Sequence, residues 1–117
     1  MSLFDDLREL GVDIDEGLKR LNGNEALYTR LLGTFVKTIE KYYVPVDFDG
    51  NDYGETTEKA HAIKGASGNL SITPLYEAYT KIVELLRAGD PDQARMILTQ
   101  IQPVQNSIMQ CIEKHMQ

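Results

Sequence analysis

The sequence predicts an all-α fold: an antiparallel up-down-up-down four-helix bundle with short N-terminal capping helices, one domain over residues 1–117. Three observations lead there. Apolar residues recur at helical spacing in four long segments. Short breaks containing Gly, Pro and Asp separate those segments. No run alternates polar and apolar residues as a half-buried strand does, and no internal repeat is evident.

The elements follow in order. Leu3 to Leu10 forms a short helix with Leu3, Phe4, Leu7 and Leu10 on one side, ended by Gly11. Asp13 is the expected N-cap of a second short helix, with Glu16 completing a capping-box-like pair. Ile14, Leu18 and Leu21 make its apolar stripe, and Gly23 stops it. Both pieces are too short to stand alone and are expected to lid one end of the bundle. Asn24 begins the first long helix, which carries Leu27, Leu31, Phe35, Ile39 and Tyr42 inward and breaks at Val44-Pro45. A loop from Val46 to Asn51 follows. Asp52 is the expected N-cap of the second long helix, with Glu55 at its third position. That helix should end near Leu70 or Ser71. Thr73 and Pro74 read as N-cap and first helical residue of the third, with Leu75, Tyr79, Ile82 and Leu86 inward. Gly89 ends it, and Asp90-Pro91 restarts the chain. The last helix shows Ala94, Ile97, Ile101, Val104, Ile108, Cys111 and Ile112 on one face, with a kink expected at Pro103.

Composition narrows the function classes. The 117 residues carry a net charge of −6 and no evident basic patch, which argues against nucleic-acid binding. An acidic chain gains nothing from an anionic membrane surface. No apolar run approaches membrane-spanning length, and no signal peptide is expected at the N-terminus. The single Cys111 fits a reducing cytoplasmic setting. No P-loop, Gly-rich nucleotide loop or paired Cys/His metal spacing appears, so neither an ATP site, a cofactor nor a metal is expected. A monomer is expected. Cys111, Met96, Met109 and Met116 read as packing residues. His115 reads as a structural cation in the last helical turn.

One stretch departs from ordinary helix composition. Glu58 to Leu70 reads as a helix yet holds Gly65 and Gly68, each costing about 1 kcal/mol against alanine in a helix interior. Thr56, Ala60, Ile63, Ser67 and Leu70 make the buried stripe, and His61 lies roughly 140° from its centre. Lys64, Gly65 and Gly68 stand three, four and seven residues beyond His61, on the same side of the helix. An ordinary surface histidine with glycines serving helix packing is the competing interpretation.

A neutral imidazole is a nucleophile able to attack electrophilic phosphorus and hold a phosphoryl group covalently. An ammonium group one turn away stabilises the charge in flight and the charge that remains. From Ala60 to Tyr76 the only formally charged side chain is Lys64, taking histidine as neutral. A charge-poor patch is also typical of the centre of a protein interface. Such a bundle is a passive carrier, its partner supplying metal and the remaining catalytic groups.

Ala60-His61-Ala62-Ile63-Lys64-Gly65-Ala66-Ser67-Gly68-Asn69-Leu70 resembles the signature of the histidine-containing phosphotransfer (HPt) domains. That signature has Lys at +3 from the histidine, Gly at +4, small residues at +5 to +7, and often Asn-Leu-Gly after them. Here Ser71 replaces the usual final glycine. Gly11 to Leu21 followed by Leu27-Tyr28 is similar to the family's N-terminal segment, and Ala88-Gly89-Asp90 to its turn before the last helix. The resemblance implies a helical bundle that takes a phosphoryl group from a receiver-domain aspartate, or from a histidine kinase, and passes it to another receiver. It implies His61 as phosphoacceptor through Nε2, Lys64 as electrostatic partner, and Gly65 and Gly68 as room for the receiver. The chain would then be a phosphohistidine carrier rather than a kinase, even if its parent were a hybrid histidine kinase. The alternative is a helical docking module that binds a receiver without phosphotransfer. The dimerising helix pair of a histidine kinase is disfavoured, because Ala62 stands where an acidic residue normally follows the histidine and no proline comes before Pro74.

Overall fold

The computed structural model describes residues 2–116, which form six helices: α1 (Leu3–Glu9), α2 (Ile14–Arg20), α3 (Glu25–Lys41), α4 (Gly54–Asn69), α5 (Thr73–Arg87) and α6 (Pro91–Met116). The all-α expectation holds. Among the described residues there is no strand, and no helix is long and apolar enough to cross a membrane.

Most helix starts follow from side-chain caps. Ser2, Asp13, Asn24 and Asp90 each accept a hydrogen bond from the amide three residues on, in Asp5, Glu16, Leu27 and Gln93. The reciprocal half of the Asp13–Glu16 box is not made. The Asp13 amide donates to Ser71 O, and the Glu16 carboxylate turns to the Ser71 hydroxyl and Arg20. Two expected starts are displaced. α4 is capped by Tyr53 without a side-chain bond rather than by Asp52, because Asp49 and Asn51 close a turn of their own just upstream. α5 is capped by Ile72, so Thr73 is its first residue and its hydroxyl reaches back to Ser71 O.

Four helices end alike. Gly11, Asn22, Ser71 and Gly89 follow α1, α2, α4 and α5 with left-handed backbones, φ of +92°, +55°, +56° and +78°. In each, that residue's amide and the next bond back to the last turn, as Ser71 to Gly68 O (3.3 Å) and Ile72 to Ser67 O (2.9 Å) do in α4. This double bond satisfies carbonyls that a helix end leaves open. Serine pays a steric cost there that glycine escapes. Ser71 is nonetheless buried, and its hydroxyl donates to Glu16 at 2.9 Å.

α3 packs on α4 and α6, α5 on α4 and α6, and α1 and α2 on one another and on α6 and α3 respectively. The expected core residues of α4 and α5 are buried, apart from half-buried Thr56. In α3 the deepest positions are Tyr28, Leu32, Phe35, Val36 and Ile39, while Leu27 and Leu31 are half-buried. A helix wedged between two others buries a broader arc than a single stripe, and this arc is centred one residue on from Leu27 and Leu31. α6 runs unbroken through Pro103, which is exposed, as is Thr99, whose carbonyl loses its amide partner.

Gln105 of α6 is fully buried and accepts a short hydrogen bond from the buried Tyr79 hydroxyl, while its own amide nitrogen has no partner. Tyr79→Phe removes the donor and orphans the Gln105 carbonyl as well, at an expected cost of about 1–3 kcal/mol. The double variant Tyr79→Phe/Gln105→Leu removes the unmatched oxygen and nitrogen of Gln105 together and is expected to recover most of that loss in urea denaturation. An additive double variant would show that the pair contributes little.

Candidate functional site

α4 turns Ala60, Ile63 and Ser67 into the core, all fully buried. These small and medium side chains leave the opposite face to solvent. His61, Gly65 and Asn69 are exposed there, and Lys64 and Gly68 are half-buried. The ring expected to face outward does so.

Neither His61 nor Lys64 is engaged by a neighbour. Among the described residues the His61 imidazole has no hydrogen bond and Lys64 no ion pair, whereas Lys59, on the same helix, is tied to Glu55 at 3.4 Å. The α4 surface thus offers an unengaged imidazole and an unengaged ammonium three residues apart, on adjoining turns.

The two glycines differ in what surrounds them. A Cβ built on Gly65 meets nothing within 4 Å. A Cβ on Gly68 would lie 2.8 and 2.9 Å from ring carbons of Tyr76, so Gly68 lets the α5 aromatic lie against the α4 backbone. Gly65 has no internal packing reason of that kind.

A depression of about 500 Å³ runs beside this face, lined by Gly65, Gly68, Asn69 and Tyr76 and, from α2, by Glu16 and Arg20. Arg20 donates to Gly68 O at 3.2 Å and to Glu16 at 3.1 Å. Sequence reasoning took this surroundings as charge-poor apart from Lys64 and missed both α2 residues. The Glu16–Arg20 spacing of four was visible as a helical pair, but only the tertiary docking of α2 on the end of α4 brings it here. Tyr76, 41% exposed, was also missed, since its position between inward Leu75 and Tyr79 marks it only as outward.

Comparison with protein-family models, with curated proteins and with solved structures finds no match. The chemistry of the face is therefore the ground for a functional reading. It can accept an electrophile at an accessible nitrogen, neutralise an anion beside it, and receive a partner over the bare Gly65 backbone.

Elsewhere, His115 is more than a dipole-capping cation. Its Nε2 lies 3.0 Å from Asp6 Oδ2 of α1, and both side chains are largely sheltered. Burial, with Asp6 adding to it, raises the pKa of the nearby Cys111 thiol, and Lys114 opposes the rise.

Proposed function

We propose that this chain is a phosphorelay carrier of the HPt type, His61 taking a phosphoryl group from a receiver-domain aspartate or a histidine kinase and passing it to another receiver. The observation that carries the reading is the exposed, unengaged imidazole of His61 with Lys64 one turn on and open backbone at Gly65. In the forward step the Nε2 lone pair forms the N–P bond while the P–O bond of the aspartyl phosphate breaks, its electron pair leaving on the carboxylate. Lys64 offsets the negative charge of the moving group. The reverse step loads the next receiver.

The fold we assign to this role is the antiparallel up-down-up-down four-helix bundle of α3 to α6, closed at one end by α1 and α2. Contacts along the chain support it. Tyr28, near the start of α3, donates to Leu70 O at the end of α4 (2.6 Å). Tyr43, just past the end of α3, bonds Gln102 in the first half of α6 (3.3 Å), and Gly33 lies near Met116 at the far end of α6. Receivers are the partners, the carrier is a cytoplasmic monomer, and the chain needs no ATP site of its own.

The test is phosphotransfer from a phosphorylated receiver. Acid-labile, alkali-stable label is expected on the wild type and none on His61→Gln, with His61→Gln melting as the wild type does. Label on neither protein, with receivers still bound, would replace the carrier by a docking module. Label retained on His61→Gln would remove His61 from the role.

Gly65 supplies a separate check. Alanine there is expected to stabilise the helix by up to about 1 kcal/mol, since glycine is the poorer helix former and the site is open. Gly65→Leu should keep the melting temperature and slow transfer at least tenfold by filling the approach to His61. Full-rate transfer with Gly65→Leu would mean that the partner does not approach over Gly65.

A further inference from the structure

We propose that Asp6, Cys111 and His115 form a binding site for a zinc-class divalent cation, which clips α1 to the carboxyl-terminal part of α6. Cys111 and His115 stand four residues apart, so they share a face on successive turns of α6. That face meets α1, which supplies Asp6. The imidazole nitrogen, the thiol sulfur and a carboxylate oxygen all lie within 4.8 Å of one another, and all three residues are half-buried.

The spacing suits a small tetrahedral ion. Nitrogen and oxygen ligands at about 2.0–2.2 Å from zinc stand about 3.3 Å apart. His115 Nε2 and Asp6 Oδ2 are already 3.0 Å apart, so an ion between them needs only a slight widening. A thiolate bound at about 2.3 Å stands about 3.5 Å from the other two donors. From a separation of at most 4.8 Å, Cys111 closes by no more than about 1.3 Å, within reach of a side-chain torsion.

The donor set gives selectivity. Thiolate and imidazole with one carboxylate favour zinc and its neighbours over calcium or magnesium, which take all-oxygen shells. The depression at this place, about 340 Å³, is also lined by Glu9, so a water or the Glu9 carboxylate can complete the shell. Binding displaces the thiol proton to solvent, so uptake of the ion is expected to strengthen as pH rises. α1 has seven residues and cannot hold helical form alone, so a ligand shared with α6 would fix it in place. None of these residues borders the depression beside Gly65, and the inference is independent of the phosphorelay reading.

Cobalt(II) titration of the reduced full chain tests the site, with zinc as competitor. The wild type is expected to take up one equivalent with a near-ultraviolet thiolate-to-cobalt band that zinc abolishes. At a hundredfold excess over the dissociation constant, zinc should raise the melting temperature by about 10 °C. Cys111→Ser, a near-isosteric change, should lose the band. Asp6→Asn should weaken binding at least tenfold, and His61→Gln should leave it unchanged. No thiolate band in the wild type, a band surviving in Cys111→Ser, or its loss in His61→Gln would each overturn the proposal. So would wild-type affinity in Asp6→Asn.

Discussion

Gly17→Ala is expected to destabilise the protein by about 2–3 kcal/mol and to lower its melting temperature by roughly 8–12 °C, the penalty of overfilling a packed core. A methyl group on Gly17 would lie 2.6 Å from both Cζ and the hydroxyl oxygen of Tyr28. The ring has nowhere to go. Tyr28 is fully buried, its centroid is 5.7 Å from that of Phe4, and its hydroxyl donates to Leu70 O at 2.6 Å. Burial, helped by Asp13 and Glu16, pushes its phenol up to about 12, so it remains a donor across the physiological range. Relieving the clash by moving the ring would leave that hydroxyl and the Leu70 carbonyl unmatched. Gly54 provides the control: a Cβ there meets nothing within 4 Å, and Gly54→Ala is expected to change stability by less than about 0.5 kcal/mol. Equal midpoints for Gly17→Ala and Gly54→Ala in thermal melts would show that α2 can shift away from α3 at little cost.

The second large effect is kinetic. If His61 is the phosphoacceptor proposed above, Lys64→Ala should slow phosphoryl transfer to it about 10- to 100-fold while leaving the melting temperature in place. Removing one preorganised stabiliser of a developing anion costs about 10²–10³ in rate. A loss at or below the bottom of that range is expected here, because Lys64 is only half-buried and water shares its task. No carboxylate among the described residues holds Lys64 in an ion pair, so its loss orphans nothing inside the protein and the fold should not register it. Lys64→Arg keeps the charge and should retain most of the rate. Single-turnover transfer from a phosphorylated receiver reads the difference, and an unchanged rate for Lys64→Ala would reduce the lysine to a solvating side chain.

Much of this was legible in the residues. The wheel separated His61 from Ile63 and Ser67 correctly because helical periodicity is a local property. Gly11 and Gly89 marked their helix ends for the same reason. What could not be seen were the contacts between helices. Gly68 looked like a partner-access residue, and only the docked α5 shows a tyrosine ring lying on it. Nothing in the sequence around Gln105 marks it as a core residue, yet it is buried where α6 faces Tyr79 of α5. Tyr28 was passed over for Leu27, since no pattern in α3 reveals that a glycine in α2 makes room for a phenol. Ser71 stood where glycine was anticipated. The backbone takes the left-handed turn regardless, with a glutamate fifty-five positions upstream receiving the hydroxyl.

The two ends of α4 are held very unequally. Its final turn is fastened through Leu70 to Tyr28, through Gly68 to Arg20 and through Ser71 to Glu16, whereas its first turn has no side-chain cap. Local opening should therefore start at Gly54 and die away toward Asn69, with amide protons exchanging fastest in the first two turns. His61 sits midway along that gradient. Exchange that is slow from His61 onward would show that the hydrogen bonds of the last turn hold the ring's half of the helix in place.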